Sequence, residues 1–271
     1  LVPALITAFS NQCDLVFAPT STMKDHLLEQ GTKTRISVLP TGLDRVSFQY
    51  DEMLSSEIRN MYGNGCPYLF ATTARLEKEK NLDFLFQGTA RLRDILGQDF
   101  RLMVIGDGTE RRHLEELARM LGISRQIVFT GKIENTRVRH YLNAADAFLF
   151  ASKSETQGIV LLEAMAAGCP VAAVRASGVV DVVRQGINGY MTEEAPEAFA
   201  AAAARLVLER GVWSGMSEEA RKTAELYESG RIAALAAEQY GLMTGQKEDA
   251  GYEEHGKGML VPSILRLFKA A

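Results

Sequence analysis

The chain has 271 residues, 46% apolar and 24% charged, a composition that excludes a disordered, collagen-like or disulfide-scaffold protein. Its formal net charge of −4 disfavours nucleic-acid binding, because proteins that bind a phosphate backbone carry an excess of Lys and Arg. The three cysteines lack metal-ligand spacing, and no 18-residue apolar run or signal peptide occurs, so we expect a cytoplasmic protein without a metal site or membrane-spanning helix.

The chain alternates short apolar runs with longer amphipathic segments. Runs rich in β-branched and aromatic residues predict strands at 14–18, 35–39, 67–73, 100–105, 127–131, 146–151 and 170–174. The stretches between them predict helices at about 20–30, 80–96, 109–121, 134–144, 157–168 and 196–209. This alternation predicts right-handed βαβ units and an α/β fold with a Rossmann-like, doubly wound parallel sheet.

Composition changes divide the chain into three parts. The opening stretch at 1–9 is apolar but lacks the basic flank of a signal, and we interpret it as the interior of a longer chain. Segment 39–52 has the Pro and Gly of a linker, and too few βα units precede it for a free-standing domain. Helical pattern weakens after about residue 241. The predicted parts are 1–43, 44–240 and 241–271.

Cations follow the third predicted strand, at the sheet edge where open parallel sheets bind ligands. Arg75 and Lys80 precede a helix, where two cations and a helix N-terminus can hold a diphosphate. The same cations can instead pair with Glu77 and Glu79 on a solvated turn. The residues alone leave both interpretations open.

Two nucleotide-binding signatures are absent from the sequence. Gly106-Asp107-Gly108 follows the fourth strand, but Arg111 stands where a dinucleotide fingerprint needs its third glycine. No Walker A pattern occurs either. A dinucleotide-dependent oxidoreductase is therefore disfavoured, as is an NTPase.

Segment 152–170 is the most informative stretch of the sequence. Glu155 falls just past a strand, and Gly158 opens the next helix with bare N–H groups suited to a phosphate. Glu163 lies within that apolar helix with no cation at helical spacing. It must hydrogen-bond a ligand's hydroxyls, such as those of a ribose, or meet a Lys or Arg from another segment.

These features together resemble the retaining, nucleotide-sugar-dependent glycosyltransferases of family 4, which have a GT-B fold. The Glu-x7-Glu element of that family matches the spacing from Glu155 to Glu163. Further similar pieces occur in the family's order, at 74–85, 104–118, 128–152, 161–174 and 187–191. The resemblance covers roughly residues 14–210 and identifies mainly the C-terminal, donor-binding half of the fold.

Carried over by position, the resemblance implies roles for the charged residues. Arg75 and Lys80 would bind the donor diphosphate, and Glu163 would hold the ribose hydroxyls. Glu155 would contact the transferred sugar near the reacting centre, as the catalytic candidate. Cations and N–H groups would stabilise the charge that develops on the departing nucleoside diphosphate.

The resemblance also implies contacts for the remaining site residues. The backbone of Gly158, Ile159 and Val160 would cap the distal phosphate, while Lys132 and Ile133 would lie beside the base. The implied reaction proceeds with retention at the anomeric carbon, from a UDP-sugar donor and without a metal or other cofactor. No Asp-x-Asp metal motif occurs in the chain.

The chain departs from the family pattern at several positions. The common Glu-Gly-Phe-Gly is Glu155-Thr156-Gln157-Gly158 here, a variant that resembles enzymes acting on diacylglycerol or other lipids. Ala74 and Thr41 replace a usual Gly and Asn, and the common Gly-Gly reads Ala176-Ser177-Gly178. We therefore expect a sugar or lipid acceptor as well as a nucleotide-sugar partner.

The part of the family fold that holds the acceptor is largely missing from this sequence. Residues 1–43 would be a remnant of that domain, without its Gly-rich loop and histidine, so we expect weak donor binding and little transfer by this chain alone. A nucleotide-sugar-binding module without catalysis is the alternative function. Segment 259–271 is either a helix packed on the N-terminal domain or an interfacial helix giving peripheral membrane contact.

Overall fold

The computed structural model describes residues 2–244, apart from the side chains of Val2, Arg210 and Thr244. The predicted C-terminal helix at 259–271 lies outside these described residues. The described chain divides into two compact units, one formed by residues 43–225 and the other by residues 2–42 with 226–244.

The larger unit contains a six-stranded, all-parallel sheet in the order β5-β4-β3-β6-β7-β8. Its strands are β3 (Tyr68–Thr73), β4 (Phe100–Ile105), β5 (Ile127–Gly131), β6 (Ala147–Phe150), β7 (Val171–Val174) and β8 (Gly189–Thr192). The predicted α/β class with a parallel sheet is confirmed. The sheet reverses its direction of growth between β3 and β6, and this reversal creates a crevice at their carboxyl ends.

Helices cover the sheet in two groups. They are α3 (Glu52–Gly63), α4 (Leu82–Leu96), α5 (Arg111–Met120), α6 (Asn135–Ala144), α7 (Ile159–Ala166), α8 (Ser177–Val180), α9 (Pro196–Leu208) and α10 (Arg210–Glu225). Helices α4 and α9 pack together, as do α3 with α6 and α7 with α10. Because the central strands are covered on both sides, their residues form nearly continuous apolar runs, as in β4.

The main core lies between the sheet and the group formed by α4, α5 and α9. Its largest fully buried side chains include Phe70, Phe86, Phe100 and Phe199. Phe70 and Phe100 meet edge to face across neighbouring strands, with ring centroids 5.8 Å apart. This packing holds the strand ends, and the loops that follow them, in fixed positions.

Three elements of the larger unit were not predicted. Helix α3 follows the predicted linker and begins where the Asp51 carboxylate accepts a hydrogen bond from the Leu54 N–H, at 3.0 Å. Strand β8 has four residues and forms only by pairing with β7. Helix α10 follows α9 after a single residue, so no loop in the sequence marks the start of a second helix.

The smaller unit contains β1 (Val16–Ala18) and β2 (Ile36–Val38), which pair in parallel, with α1 (Val2–Ser10), α2 (Ser21–Glu29) and α11 (Ser229–Thr244). Helix α11 contacts this unit through Phe17 and Tyr240, whose ring centroids are 5.7 Å apart. The predicted domains place residues 226–240 with the C-terminal part instead. Sequence pattern does not show which body a surface helix packs against. No helix within residues 2–244 has the length and apolar character needed to cross a membrane.

Candidate functional site

A cleft opens at the carboxyl ends of β3 and β6, where the strand order reverses. Its volume is about 480 Å³. The loops after β3, β4, β5 and β6 form its walls, and both apolar and charged side chains line it. We call this the switch-point cleft. A site of this size and lining suits a small polar ligand.

Six of the nine predicted site residues line the switch-point cleft: Arg75, Lys80, Lys132, Ile133, Glu155 and Val160. Glu163 lies in a recess of about 30 Å³ next to it, since Asn135 and Val138 line both cavities. Gly158 and Ile159 stand at the start of α7. The fold therefore brings together residues that are up to 88 positions apart in the sequence, counted from Arg75 to Glu163 (163 − 75).

The loop after β3 presents two cations in different environments. Arg75 is exposed and pairs with Glu79 at 3.3 Å, with 75% and 47% of the two side chains exposed. Glu77 turns away and accepts hydrogen bonds from the Thr109 hydroxyl and N–H, which lower the pKa of its carboxyl. Lys80 pairs with neither Glu77 nor Glu79. The solvated-turn alternative thus holds for Arg75 and fails for Lys80.

Lys80 and Glu155 form a close ion pair inside the switch-point cleft. The Lys80 ammonium lies 2.7 Å from Glu155 Oε1, and only 19% of each side chain is exposed. The buried Ser152 hydroxyl donates to the same carboxylate oxygen at 3.0 Å. Glu155 is therefore held by two donors from two different strand ends.

The backbone of Glu155 is fixed by helix α8. Its carbonyl oxygen accepts hydrogen bonds from the Ser177 hydroxyl and the Gly178 N–H, both at 3.1 Å. A Cβ atom at Gly178 would lie 2.7 Å from that carbonyl oxygen, so only glycine permits this approach. The contact joins the start of helix α8 to the loop after β6.

Helix α7 begins inside the site with uncapped N–H groups. Gly158 precedes it in the left-handed conformation, with φ of +69° and no side-chain cap. The Leu161 N–H bonds the Gly158 carbonyl at 2.9 Å, whereas the N–H groups of Ile159 and Val160 precede the first intrahelical bond. They provide the partial positive charge that favours an anion.

Glu163 is a half-buried carboxylate that pairs with no cation in the described chain. It makes no side-chain hydrogen bond or ion pair with any residue in the described part of the chain. Burial alone raises the pKa of its carboxyl. Of its two sequence-based alternatives, a cation from another segment is not found within residues 2–244, and an unmet hydrogen-bonding capacity remains.

A second group of polar side chains ties the loops of the cleft together and was not predicted. Asn81 donates to the Ala151 carbonyl at 3.2 Å and to Glu194 at 2.8 Å. Lys153 donates to the other oxygen of Glu194 at 2.7 Å. These two donors lower the pKa of Glu194. Glu194 lies just past β8, so its place at this edge followed only from a strand that the pattern missed.

No group of three or more His, Cys, Asp or Glu side chains with the geometry of a metal site occurs in the described chain. The polar groups of the cleft are cations, carboxylates and backbone N–H groups. This set suits an anionic ligand with hydroxyl groups, in which the cations meet the anion and Glu163 accepts from the hydroxyls.

Comparisons with known proteins identify the family of this chain. The family model "Glycosyl transferases group 1" matches residues 57–224. The alpha-monoglucosyldiacylglycerol synthase of Streptococcus pneumoniae is 33% identical over 180 residues, which are 64% of this chain and 40% of that protein. The sulfoquinovosyl transferase SQD2 of Arabidopsis thaliana is 30% identical over 195 residues, 69% of this chain and 36% of that protein. This chain thus spans less than half the length of these relatives.

A solved structure shares the fold. Anabaena Alr3699/HepE in complex with UDP matches with a TM-score of 0.81 and 20% identity, over 89% of this chain and 67% of that chain. The family match over residues 57–224 confirms a group 1 glycosyltransferase, and this likeness confirms the predicted fold. The chain belongs to the group 1 glycosyltransferases, and its larger unit has the Rossmann-like architecture of their GT-B fold.

Proposed function

We propose that this chain binds the nucleotide-sugar donor of a retaining family 4 glycosyltransferase, in the switch-point cleft. One observation carries the proposal: an unpartnered, half-buried carboxylate, Glu163, adjoins a cleft lined by three cations, Arg75, Lys80 and Lys132. A nucleoside diphosphate matches this arrangement, because it joins an anionic diphosphate to a ribose with two hydroxyl donors.

Each part of the donor has a complement in the site. Arg75, Lys80 and the first N–H groups of α7 bind the diphosphate. Glu163 accepts hydrogen bonds from the ribose hydroxyls, which stabilise its buried charge. Lys132 and Ile133, on the loop after β5, lie beside the base.

Glu155 is the catalytic residue in this proposal. Its carboxylate lies at the diphosphate end of the cleft, within 2.7 Å of Lys80, and so faces the sugar carried by the distal phosphate. The cations and N–H groups stabilise the nucleoside diphosphate as it departs, which is the main electrostatic demand of sugar transfer. The proposed transfer retains the anomeric configuration and uses no metal, because fixed cations neutralise the leaving group.

The donor is proposed to be a UDP-sugar and the acceptor a lipid or another sugar. The UDP complex of the HepE structure supports the first choice. The alpha-monoglucosyldiacylglycerol synthase relative and the Glu155-Thr156-Gln157-Gly158 variant support a lipid acceptor. A lipid acceptor implies peripheral contact with the cytoplasmic face of a membrane, and nucleic acid is not an expected partner.

The experiment that tests donor binding is calorimetric titration of UDP, GDP and ADP into this chain. We expect saturable binding of UDP, and we expect Glu163→Ala to weaken it by at least about tenfold, the value of a hydrogen bond to a charged group. Glu116→Ala is the matched control, because Glu116 is an exposed helical glutamate on α5. Failure of all three nucleotides to bind would contradict the proposal.

The second candidate function is nucleotide-sugar binding without catalysis. It shares the donor site, so titration does not separate it from the enzyme. Hydrolysis or transfer of UDP-glucose by the chain, lost on Glu155→Gln while UDP binding persists, would establish the enzyme. UDP binding without any turnover in the longest chain that contains this sequence would favour the binding module.

A further inference from the structure

Lys80 forms an ion pair with Glu155 in this structure. Its ammonium lies 2.7 Å from the Glu155 carboxylate and has no second hydrogen-bond partner among the described residues. Both side chains are only 19% exposed. An ion pair in this position is shielded from solvent and is stronger than a pair at the surface.

Arg75, the other cation proposed to bind the diphosphate, forms a longer and more exposed ion pair. Its contact with Glu79 is longer, at 3.3 Å, and the two side chains are 75% and 47% exposed. Exposed pairs of this kind contribute little and exchange readily with water. The two cations proposed to bind the diphosphate therefore differ in the strength of the ion pair that must be broken before each can bind it.

Ser152 gives Glu155 a second anchor. Its hydroxyl donates to the same Oε1 atom that Lys80 holds, at 3.0 Å, and Ser152 is 2% exposed. The Glu155 carbonyl is held separately by Ser177 and Gly178. Glu155 therefore remains in the cleft, bonded to Ser152, when Lys80 leaves it.

We propose that Glu155 competes with the donor diphosphate for Lys80, so that donor binding proceeds by exchange of the lysine from the carboxylate to the phosphate. This inference rests on the proposed function. A diphosphate outcompetes the carboxylate because it carries more charge and is also held by Arg75 and the N–H groups of α7. The exchange leaves the Glu155 carboxylate bonded only to Ser152 and therefore able to contact the sugar.

The exchange has a measurable consequence: wild-type affinity for the nucleotide is reduced by the cost of breaking the pair. Glu155→Gln removes the charge, keeps the side-chain shape and keeps an oxygen that accepts from Ser152. We expect UDP to bind this variant about fivefold more tightly than wild type. Glu79→Gln makes the same change beside Arg75, and we expect a change of less than about twofold there.

A double-mutant cycle separates exchange from simple repulsion between Glu155 and the phosphates. UDP is titrated into wild type, Glu155→Gln, Lys80→Gln and the double variant, with ligand-observed NMR to follow binding into the millimolar range. Thermal unfolding of each variant verifies the fold. In the Lys80→Gln background, we expect Glu155→Gln to give no gain in affinity, because no ammonium remains to be freed.

Each outcome decides the inference. A gain of equal size in both backgrounds would show direct repulsion and overturn the exchange. An unchanged or weaker affinity in the single variant Glu155→Gln would overturn it too, while leaving the donor site intact. Absence of UDP binding by folded wild-type protein would instead reject the proposed function, and the exchange with it.

Discussion

Opposite edges of the same sheet carry two cavities that differ in how completely their polar groups are satisfied. The switch-point cleft lies at the carboxyl ends of the strands, and a cavity of about 380 Å³ lies at the amino ends, lined by Arg59, Asp146 and Trp213 among others. Each contains a close ion pair, Lys80–Glu155 at 2.7 Å and Arg59–Asp146 at 2.8 Å. Size and charge alone therefore do not distinguish them.

The polar groups at the amino edge are used by the protein itself. Arg59 donates to the carbonyls of Ala144 and Pro67 as well as to Asp146. The same carboxylate oxygen of Asp146 accepts from the Leu69 N–H, and the Trp213 indole donates to the Asp146 carbonyl. This cluster joins α3, α10 and the starts of β3 and β6, so its role is structural.

At the carboxyl edge, by contrast, two charged groups lack partners within the described chain. The side chain of Lys132 has no hydrogen bond or ion pair within the described chain, and Glu163 has none in its recess. Lys132 is exposed, so water solvates it, whereas the half-buried Glu163 carboxylate costs stability unless a ligand donates to it. The comparison indicates that the proposed functional site keeps polar groups without partners, whereas the polar groups of the structural cluster are bonded to one another.

The largest predicted effect is at the amino edge. Asp146→Ala leaves Arg59 and the Leu69 N–H without their partner, and we expect the free energy of unfolding to fall by about 2–3 kcal/mol. UDP affinity should stay unchanged, because this edge is remote from the switch-point cleft. Urea denaturation and UDP titration measure the two quantities. A matched loss of UDP affinity in folded protein would contradict the division of roles.

A smaller effect is expected where the carboxyl edge is tightly packed. Gly178→Ala places a methyl group 2.7 Å from the Glu155 carbonyl oxygen, so helix α8 or the Glu155 loop must shift. We expect a stability loss of about 1–2 kcal/mol and weaker UDP binding. Gly215→Ala is the control, because nothing lies within 4 Å of the added methyl group. Unchanged UDP affinity would show that this contact does not position the site.

The smallest effect has the opposite sign. Burial raises the pKa of the Glu163 carboxyl, so its charge destabilises the folded state at neutral pH. We expect Glu163→Gln to increase the free energy of unfolding by on the order of 1 kcal/mol at pH 7. The gain should disappear as pH falls below the ordinary value of 4.5, since the carboxyl is then neutral in both states. Urea denaturation at several pH values measures this.

A stabilising Glu163→Gln that also weakens UDP binding would identify a residue retained for function at a cost in stability. Glu116→Gln on α5 should change neither quantity. A loss of stability at neutral pH in Glu163→Gln would show that Glu163 has a structural partner, and would contradict its assignment to the ribose.

The main strands and the approximate site followed from sequence pattern. The apolar runs at 67–73 and 100–105 match β3 and β4 closely, because strands covered on both faces are apolar at nearly every position. The strand ends then located the cations and Glu155. Helix α3 and strand β8 were missed, because α3 begins at the end of the segment interpreted as a linker and β8 is a four-residue strand that depends on β7 for pairing.

Within the site, sequence spacing identified the residues but not their partners. The prediction weighed Glu77 and Glu79 as partners of Lys80, because they are near in the chain. The structure pairs Lys80 with Glu155, 75 positions away, and directs Glu77 to Thr109. Ser152 opens the segment 152–170, three residues before Glu155, but only side-chain geometry shows that its hydroxyl bonds the carboxylate.

The sequence by itself determined the α/β class, the family and the set of charged residues at the strand ends, because periodicity and residue type are local properties of the chain. The tertiary structure decided which of these charges meet. It pairs Lys80 with Glu155 and Arg59 with Asp146, and it leaves Glu163 without a partner in the described chain. These outcomes depend on strand order and on approaches of a few ångströms between distant segments. Local sequence pattern does not predict such distances, because the packing of the sheet and its helices sets them.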